Sequence, residues 1–300
     1  MGPQLVLETL EDRRLSPDPS KERFSPFVKW AGGKTSLLHQ LLRHVPMDLS
    51  DYYEPFLGGG ALFLGVCART TKFNVHLSDT NEELISAYSA IKEKPEELIR
   101  LLSRFQEEYD SSSNKSSYFY RKRAWQPDGP IESAARLVFL NKTCYNGLYR
   151  VNSKGKFNVP FGRYKKPRII NSYTIKAISH LLNSTKAELR CIDYQDALAT
   201  CKKNDFIYLD PPYQPISETS NFTDYTSSGF SEKNQEELAE IFMRLVDRGC
   251  VVLLSNSDTP LTRYLYRDFE MKKVNVNRPI NSVGTGRKGY RELIVLGHHQ

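Results

Sequence analysis

The apolar positions of the chain follow two patterns. The first is a set of short runs rich in Val, Ile, Phe, Tyr and Leu, a composition typical of buried strands. The second is longer stretches in which apolar residues return every three or four positions, as in amphipathic helices. These patterns predict strands at 52–56, 73–77, 188–192, 206–209, 251–254, 271–276 and 293–296, and helical segments at 37–45, 61–68, 232–246 and, with a break at 111–117, 81–141. Such an alternation predicts an α/β domain.

Residues 142–170 interrupt this rhythm. The segment is rich in Gly, Asn, Tyr and Lys, and the run Asn152-Ser153-Lys154-Gly155-Lys156 favours a hairpin turn between two aromatic-bearing arms. We therefore predict a doubly wound α/β domain made of residues 24–82 and 171–300. Residues 83–170 are predicted to be a helical insertion whose hairpin spans about 144–165, and residues 1–23 a weakly ordered extension.

Composition excludes several classes of protein. The 300 residues are 39% hydrophobic, which is enough for a globular core, but no apolar run is long enough to span a membrane. No apolar segment of the secretory kind lies near residue 1. The five cysteines are scattered without metal-ligand spacing, which predicts reduced thiols in a cytoplasmic protein and no metal site. A monomer is expected, because no sustained heptad repeat is present.

The net charge of +7 is unevenly distributed. Residues 133–187 contain eleven of the 42 lysines and arginines and none of the 35 acidic residues. A solvated protein face normally mixes both signs of charge. A long segment of one sign is better explained by a polyanionic partner, so the insertion is the candidate nucleic-acid module.

The most informative motif is Asp210-Pro211-Pro212-Tyr213, which directly follows the predicted strand 206–209. Open α/β sheets bind their ligands at the carboxyl ends of the strands. The two prolines stiffen the turn and remove two backbone donors, so its carbonyls remain as acceptors. A carboxylate, fixed carbonyls and an aromatic ring suit a planar base with an exocyclic amine, such as adenine or cytosine. An ordinary turn after a strand could also have this sequence, and the tetrapeptide alone leaves both interpretations open.

A second motif, Gly58-Gly59-Gly60, lies between the first predicted strand and a helix. Glycines there let the backbone approach a ligand closely beside a helix N-terminus. Asp79, at the end of the next strand, could accept the hydroxyls of a ribose or could merely cap the helix that begins near Asn81. Signals for an NTPase or a dehydrogenase are incomplete. Val28 stands where a P-loop needs glycine, and Phe63 replaces the last glycine of the dinucleotide fingerprint.

Together these motifs resemble the Dam-type DNA adenine-N6 methyltransferases. The resemblance covers about residues 24–296. It is carried, in chain order, by Lys29-Trp30-Ala31-Gly32-Gly33-Lys34, Glu54-Pro55-Phe56-Leu57-Gly58-Gly59-Gly60, Tyr145-Asn146-Gly147-Leu148-Tyr149-Arg150, the run from Phe157 to Pro167, Asp210-Pro211-Pro212-Tyr213 and Asn221-Phe222-Thr223. It implies a Rossmann-like, S-adenosylmethionine-dependent methyltransferase core with a helical and β-hairpin insertion that recognises DNA.

The resemblance also implies S-adenosylmethionine as cofactor, double-stranded DNA as partner and a role for individual residues. Cofactor contacts are assigned to Trp30, Lys34, Asp79 and Asp210, with Phe56, Gly58 and Gly60 in the loop beneath it. Catalysis is assigned to Asp210, Pro211, Pro212 and Tyr213. Arg150 is expected to read a guanine, and Lys154, Lys156, Arg163, Lys165 and Lys166 to contact phosphates. Lys29, Tyr145, Asn146, Leu148, Pro160 and Tyr164 complete the expected DNA-binding set.

The expected reaction is direct methyl transfer to adenine N6 without a covalent enzyme intermediate, that is, EC 2.1.1.72. The target base must leave the duplex, and Tyr213 is expected to stack on it, unless that tyrosine is simply packed in the core. GATC is the expected target and GATATC an alternative. An N4-cytosine or RNA N6-adenine methyltransferase, and a DNA-binding protein without catalysis, are further alternatives. The GATC-type hairpin argues against the first two, and the combination of Asp79, Asp210 and Tyr213 against the third.

Overall fold

A computed structural model describes residues 25–213, 230–276 and 290–298. The predictions for residues 1–23 and for Asn221-Phe222-Thr223 lie outside these ranges. The centre of the molecule is a seven-stranded sheet with the order β3-β2-β1-β4-β5-β7-β6. Its strands are β1 Asp51–Glu54, β2 Asn74–Ser78, β3 Glu188–Arg190, β4 Phe206–Leu209, β5 Val251–Ser257, β6 Glu270–Val276 and β7 Tyr290–Gly297. β1 to β5 run parallel, and β7 runs antiparallel to both β5 and β6.

Helices cover both faces of this sheet. Within the described residues they are α1 Leu38–Leu41, α2 Ala61–Cys67, α3 Glu82–Glu93, α4 Pro95–Ser111, α5 Lys115–Ala124, α6 Pro130–Thr143, α7 Ser172–Ser184, α8 Tyr194–Leu198, α9 Glu232–Asp247 and α10 Pro260–Leu265. Their starts follow local chemistry. Asn81 caps α3, a capping box formed by Ser231 and Asn234 begins α9, and proline occupies the first turn of α4, α6 and α10. Among the described helices, none is both long and apolar enough to cross a bilayer.

The buried side chains form two clusters. The larger cluster joins the sheet to the helices of the insertion and includes Leu62, Tyr88 and Phe139. In it, α3 packs against both α6 and α7, and α4 packs against α6. The smaller cluster lies between the sheet and α9, where Leu238 and Phe242 are fully buried. Burial of one apolar side chain stabilises a fold by roughly 1.5–3 kcal/mol, so the two clusters together stabilise the sheet through both of its faces.

The predicted fold class is confirmed, and the seven predicted strands are all present. The region 81–141 divides into α3, α4, α5 and α6, with the predicted break between Ser111 and Lys115. Three helices were not predicted: α7, α8 and α10. The helix expected at 37–45 is shorter, consisting of a 3₁₀ turn at Lys34–Ser36 followed by α1. The division of the chain into a core and an insertion stays a prediction.

Backbone hydrogen bonds join the two arms of the hairpin, from Gly162 to Thr143, Tyr145 to Pro160, Asn158 to Arg150 and Asn152 to Lys156. Isolated bridges pair Val151 with Phe157 and Cys144 with Phe161. Between them the chain reverses at Gly155, which has a φ of +68° and donates to the Asn152 carbonyl at 2.9 Å. The predicted turn is therefore present, but its arms pair too sparsely to form regular strands.

Candidate active site

Three loops meet at the carboxyl edge of the parallel strands. Gly58-Gly59-Gly60 follows β1, Asp79 follows β2, and Asp210 follows β4. β1 lies between β2 and β4, so the three loops are neighbours. The strand order reverses between β1 and β4, which makes this edge the topological switch point at which open α/β sheets bind ligands.

Asp210 is paired with a buried lysine. The Lys34 ammonium lies 2.7 Å from Asp210 Oδ1, donates to the Gly32 carbonyl at 2.6 Å and lies 4.7 Å from the centre of the Tyr213 ring. Lys34 is only 4% exposed, so the ion pair is largely shielded from water. Burial raises the pKa of Asp210 to about 6, although Lys34 opposes that shift. At neutral pH this corner therefore presents a fixed carboxylate beside an aromatic ring.

The rest of the Asp210–Tyr213 turn is anchored by two buried polar side chains. The Tyr213 hydroxyl donates to Glu292 Oε2 on β7 at 2.9 Å, and Glu292 is 3% exposed. The Gln235 amide, in the first turns of α9, donates to the Pro212 carbonyl at 3.2 Å. The Tyr213 ring itself remains half-buried. The turn is thus fixed from the side of the sheet while its tyrosine stays partly exposed.

The glycine turn is tied to Asp79. Gly58 and Gly60 have φ values of +47° and +64°, which glycine adopts without strain. The Gly58 amide donates to Asp79 Oδ2 at 3.0 Å, and the Asn81 amide donates to Asp79 Oδ1 at 2.9 Å. Burial raises the pKa of Asp79, although these backbone donors oppose the shift. Since Asn81 is the residue that caps α3, Asp79 is not the helix cap but holds the glycine turn against β2.

Glu54, the last residue of β1, is a buried acid beneath this edge. Its Oε2 accepts hydrogen bonds from the Tyr52 hydroxyl at 2.7 Å and from the Phe63 amide at 3.1 Å. It therefore connects β1 to the first turn of α2. Burial raises the pKa of Glu54 to about 8, an effect that its hydrogen bonds and the nearby Lys34 reduce but do not cancel.

Trp30 connects the glycine turn to the insertion. A Cβ atom added at Gly58 would lie 2.8 Å from Trp30 Cδ1, so the backbone of the turn lies directly against the indole. The indole also stacks on the Tyr149 ring, with centroids 5.3 Å apart and an interplanar angle of 27°. The Tyr149 hydroxyl in turn donates to Glu83 Oε2 at 2.9 Å. Aromatic packing therefore joins the edge of the sheet to the start of the hairpin.

Asn141 ties the same two regions together through hydrogen bonds. Its side chain accepts from the Lys29 amide at 2.7 Å and donates to the Lys29 carbonyl at 2.7 Å and to the Gly147 carbonyl at 3.0 Å. It is 1% exposed. The Lys29 ammonium lies 4.8 Å from the centre of the Tyr164 ring. The loop that contains Lys29, Trp30 and Lys34 is thereby joined to the loop that opens the hairpin.

Phe56 is placed differently from the other residues assigned to the cofactor. Its ring stacks on Tyr194 at 5.2 Å and meets Phe230 edge-on at 6.0 Å. It packs against the smaller hydrophobic cluster. By contrast, Gly58 contacts both Trp30 and Asp79, and Lys34 pairs with Asp210.

The residues assigned to DNA lie on or beside the hairpin. Arg150 is exposed, and its Nε donates to Asn158 Oδ1 at 2.7 Å, which orients the guanidinium along the hairpin. Tyr145 is 44% exposed. The exposed members of the set are Lys29, Tyr145, Arg150, Lys154, Lys156, Pro160, Arg163, Lys165 and Lys166, and the half-buried ones are Asn146, Leu148 and Tyr164.

Five buried polar residues of the site were not identified from the sequence: Glu54, Asn141, Gln235, Asn256 and Glu292. Each is a polar residue within an apolar strand or on the apolar face of a helix. That pattern could have marked them, because a polar side chain in a buried position must find a partner.

Comparisons with known proteins agree with this geometry. The family described as D12 class N6 adenine-specific DNA methyltransferase matches residues 30–280, and the chain belongs to it. The chain is 40% identical to the Type II methyltransferase M1.LlaDCHI of Lactococcus lactis subsp. cremoris, over 93% of this chain and 97% of that protein. It is 39% identical to the Type II methyltransferase M.MjaIII of Methanocaldococcus jannaschii, over 91% of this chain and 99% of that protein. It is 38% identical to the DNA adenine methylase of Escherichia coli K12, over 90% and 94% respectively.

The protein is therefore an adenine-specific DNA methyltransferase that acts at N6, in agreement with EC 2.1.1.72. The predicted family, activity and Rossmann-like methyltransferase core are confirmed. Its reaction requires a methyl donor, and its substrate is DNA.

Proposed function

We propose that the protein transfers a methyl group from S-adenosylmethionine to the N6 atom of adenine in GATC within duplex DNA, after the base has swung out of the helix. The observation that carries this proposal is the Asp210, Lys34 and Tyr213 corner, which opens at the same edge of the sheet as Gly58 and Asp79. This edge of the sheet therefore places a carboxylate that can accept hydrogen bonds from an amine beside a turn whose backbone can line a ligand site.

The glycine turn fits S-adenosylmethionine. A side chain at Gly58 would clash with the Trp30 indole, and one at Gly60 would clash with the Tyr88 hydroxyl, 2.7 Å from the added Cβ, so the turn can present only its backbone to a ligand. Acidic groups suit both the ribose hydroxyls and the positive sulfur of this molecule. Trp30, Lys34, Asp79 and Asp210 would hold it, with Gly58 and Gly60 beneath. When bound, S-adenosylmethionine supplies an electrophilic methyl group on its sulfonium.

The Asp210 corner would make adenine N6 a better nucleophile. The lone pair of N6 is delocalised into the ring until the nitrogen begins to pyramidalise. The Asp210 carboxylate and the Pro211 carbonyl would accept hydrogen bonds from the two N6 hydrogens and favour that geometry. None of the described residues donates a hydrogen bond to the Pro211 carbonyl, which supports its role as an acceptor for the substrate. Preorganised polar groups of this kind lower reaction barriers, and removal of one such group typically costs about 2.7–4 kcal/mol.

The half-buried Tyr213 ring would receive the extruded base. Unstacking a base from duplex DNA costs a few kcal/mol, and stacking on an aromatic ring recovers about 1–3 kcal/mol. The exposed cations of the hairpin would contact phosphates, and Arg150 would read guanine through its terminal nitrogens.

The test is to incubate the purified protein with labelled S-adenosylmethionine and duplexes that differ only in the target site: GATC, GATATC or neither. Single-stranded RNA and a GATC duplex already methylated at N6 are the matched substrate controls. Mass spectrometry of the digested nucleosides then identifies the product. We expect N6-methyladenine in the GATC duplex only. Product in GATATC alone, N4-methylcytosine or methylated RNA would each overturn the proposed specificity.

Base rotation is tested separately with 2-aminopurine in place of the target adenine. Its fluorescence should rise when protein and S-adenosylhomocysteine are added, because the analogue loses its stacking neighbours. No change in fluorescence, in a complex shown by mobility shift to have formed, would argue against extrusion of the base.

A further inference from the structure

A buried chain of amides ends on the Asp210–Tyr213 turn. The Ser257 amide donates to Asn256 Oδ1 at 2.8 Å, Asn256 Nδ2 donates to Gln235 Oε1 at 2.9 Å, and Gln235 Nε2 donates to the Pro212 carbonyl at 3.2 Å. Gln235 is 2% exposed, and Asn256 and Ser257 are 0% exposed. We call this set, formed by Gln235, Asn256 and Ser257, the amide relay.

The relay joins three elements that the chain brings together only by folding. Asn256 and Ser257 end β5, the parallel neighbour of β4, and the turn emerges from β4. Gln235 lies near the start of α9, whose first turn is fixed by the capping box of Ser231 and Asn234. Each link of the relay pairs an N–H donor with a carbonyl acceptor, and this fixes the orientation of both side-chain amides.

The turn has few other means of fixing its peptide planes. Neither Pro211 nor Pro212 has a backbone N–H, so the peptide planes from Asp210 to Pro211 and from Pro211 to Pro212 contain no donor. The carbonyls of the two prolines can still accept hydrogen bonds. Gln235 occupies the carbonyl of Pro212, and the carbonyl of Pro211 receives no hydrogen bond from any described residue. Because both proline φ angles are restricted, an anchor at Pro212 limits the direction of the Pro211 carbonyl as well.

We propose that Gln235, oriented by Asn256, is a positioning residue for methyl transfer. It fixes the Pro212 peptide and so directs the Pro211 carbonyl and the Asp210 carboxylate at the adenine amine. This inference rests on the proposed function, which makes those two groups the acceptors of the N6 hydrogens. Gln235 does not touch the base, the cofactor or the reacting atoms. Its effect is therefore on the rate of the transfer step rather than on substrate affinity.

The main test compares Gln235→Met with the matched control Thr185→Val. Methionine retains the length of the side chain but cannot donate to Pro212. Thr185→Val removes another buried hydrogen bond, from the Thr185 hydroxyl to the Leu181 carbonyl at 2.8 Å, at the end of α7 and before β3, at the opposite edge of the parallel strands. Single-turnover methylation is measured with saturating S-adenosylmethionine and a GATC duplex, together with KM for DNA, cofactor affinity and Tm.

We expect Gln235→Met to slow single-turnover transfer by roughly 10- to 100-fold, the scale of a misplacement of about 1 Å, with KM and cofactor affinity changed by less than about twofold. Thr185→Val should lower Tm to a similar extent and leave the transfer rate unchanged. Equal rates in the two variants, or a loss of affinity that accounts for the slower reaction, would show that the relay is only structural.

A second variant, Gln235→Glu, keeps the shape of the side chain if methionine prevents folding. A protonated carboxyl group can donate to Pro212, whereas the ionised form can only accept. Its rate relative to the wild type should therefore fall as the pH rises, and a ratio independent of pH would overturn the proposal. Failure of the proposed function itself would be recognised differently, by the absence of N6-methyladenine with the wild-type protein.

Discussion

The Asp210 corner and the hairpin differ in how their functional side chains are held. At the corner, Lys34 and Glu292 are 4% and 3% exposed, and the turn is anchored by the amide relay. On the hairpin, Arg150, Lys154 and Lys165 are exposed, and the backbone pairs through two isolated bridges. The corner has its geometry before any substrate arrives, whereas the hairpin presents charged side chains on a lightly paired support.

This difference matches the two tasks of the enzyme. Methyl transfer depends on the position of a few acceptors to within a fraction of an ångström, which burial and hydrogen bonds can provide. Reading of DNA depends on cations that reach phosphates and base edges in solvent. Substitutions at the corner should therefore change the rate, and substitutions on the hairpin should change affinity and discrimination.

The largest effect is expected for Asp210→Ala. Loss of the carboxylate removes the proposed acceptor of an N6 hydrogen, and the single-turnover rate should fall by on the order of 10³-fold or more. DNA affinity, measured by fluorescence anisotropy, should change by less than about threefold, because the hairpin is unaffected. Circular dichroism and Tm serve as the folding control. A variant that folds, binds DNA and still methylates at the wild-type rate would remove Asp210 from the mechanism.

The next largest effect is expected for Arg150→Ala. Discrimination between GATC and a site with the guanine replaced should decrease by about 1–3 kcal/mol, measured as the ratio of kcat/KM values. A duplex with 7-deazaguanine provides the matched control, because it lacks the N7 acceptor. If Arg150 contacts that atom, the two changes should not add. Full additivity would assign the reading of this guanine to another residue.

A change of pH tests the corner without any substitution. The pKa of Asp210 is about 6, so its carboxylate is present at neutral pH and becomes protonated as the pH falls. At pH 5 about a tenth of the molecules would keep the ionised form, so the single-turnover rate should fall about tenfold between pH 8 and pH 5. DNA affinity measured in parallel separates this effect from weaker binding. A rate constant that does not change across this interval would contradict the role of the ionised carboxylate.

The smallest effect is expected for Lys165→Gln on the hairpin. Loss of one phosphate contact should weaken binding to all duplexes by a similar, few-fold factor and reduce the slope of log K against log[salt] by about 0.9. Lys203→Gln is the matched control, since Lys203 is exposed and precedes β4, at the opposite edge of the parallel strands. Equal changes in the two variants would indicate a general effect of net charge.

The parts of the structure that could be predicted from the sequence depend on local patterns. β4 and the Asp210 turn were predicted because an apolar run ends abruptly at a charged residue. The segment that forms α7 also has a local pattern, because Ile175, Ile178 and Leu182 recur at helical spacing. The segment is nevertheless rich in Ser, Thr and Asn, whose helix propensity is low. Its packing against α3 supplies the missing stability. α8 and α10, of five and six residues, are too short to be stable without tertiary contacts.

The residues of the candidate site divide in the same way, into those that a local pattern indicates and those that only tertiary contacts bring together. Asp79 and Asp210 could be selected because each follows a predicted strand, and Lys34 because the motif around it resembles that of the family. The amide relay could not, because Pro212, Gln235 and Asn256 come from three separate segments and meet only in the folded sheet. Asn141 is similar, since nothing local indicates that its side chain reaches both Lys29 and Gly147. Long-range contacts of buried polar groups are set by tertiary packing rather than by neighbouring residues.

The shared contact at Asn141 restricts how this enzyme can acquire a new recognition sequence. Gly147 has a φ of +66°, and an added Cβ there would lie 2.6 Å from Lys29 Cδ. Any side chain at Gly147 would therefore push on the loop that leads to Trp30 and Lys34. With the hairpin as the proposed reader of DNA, new specificity would arise from its exposed side chains, while the backbone at its base would stay constant to preserve the chemistry.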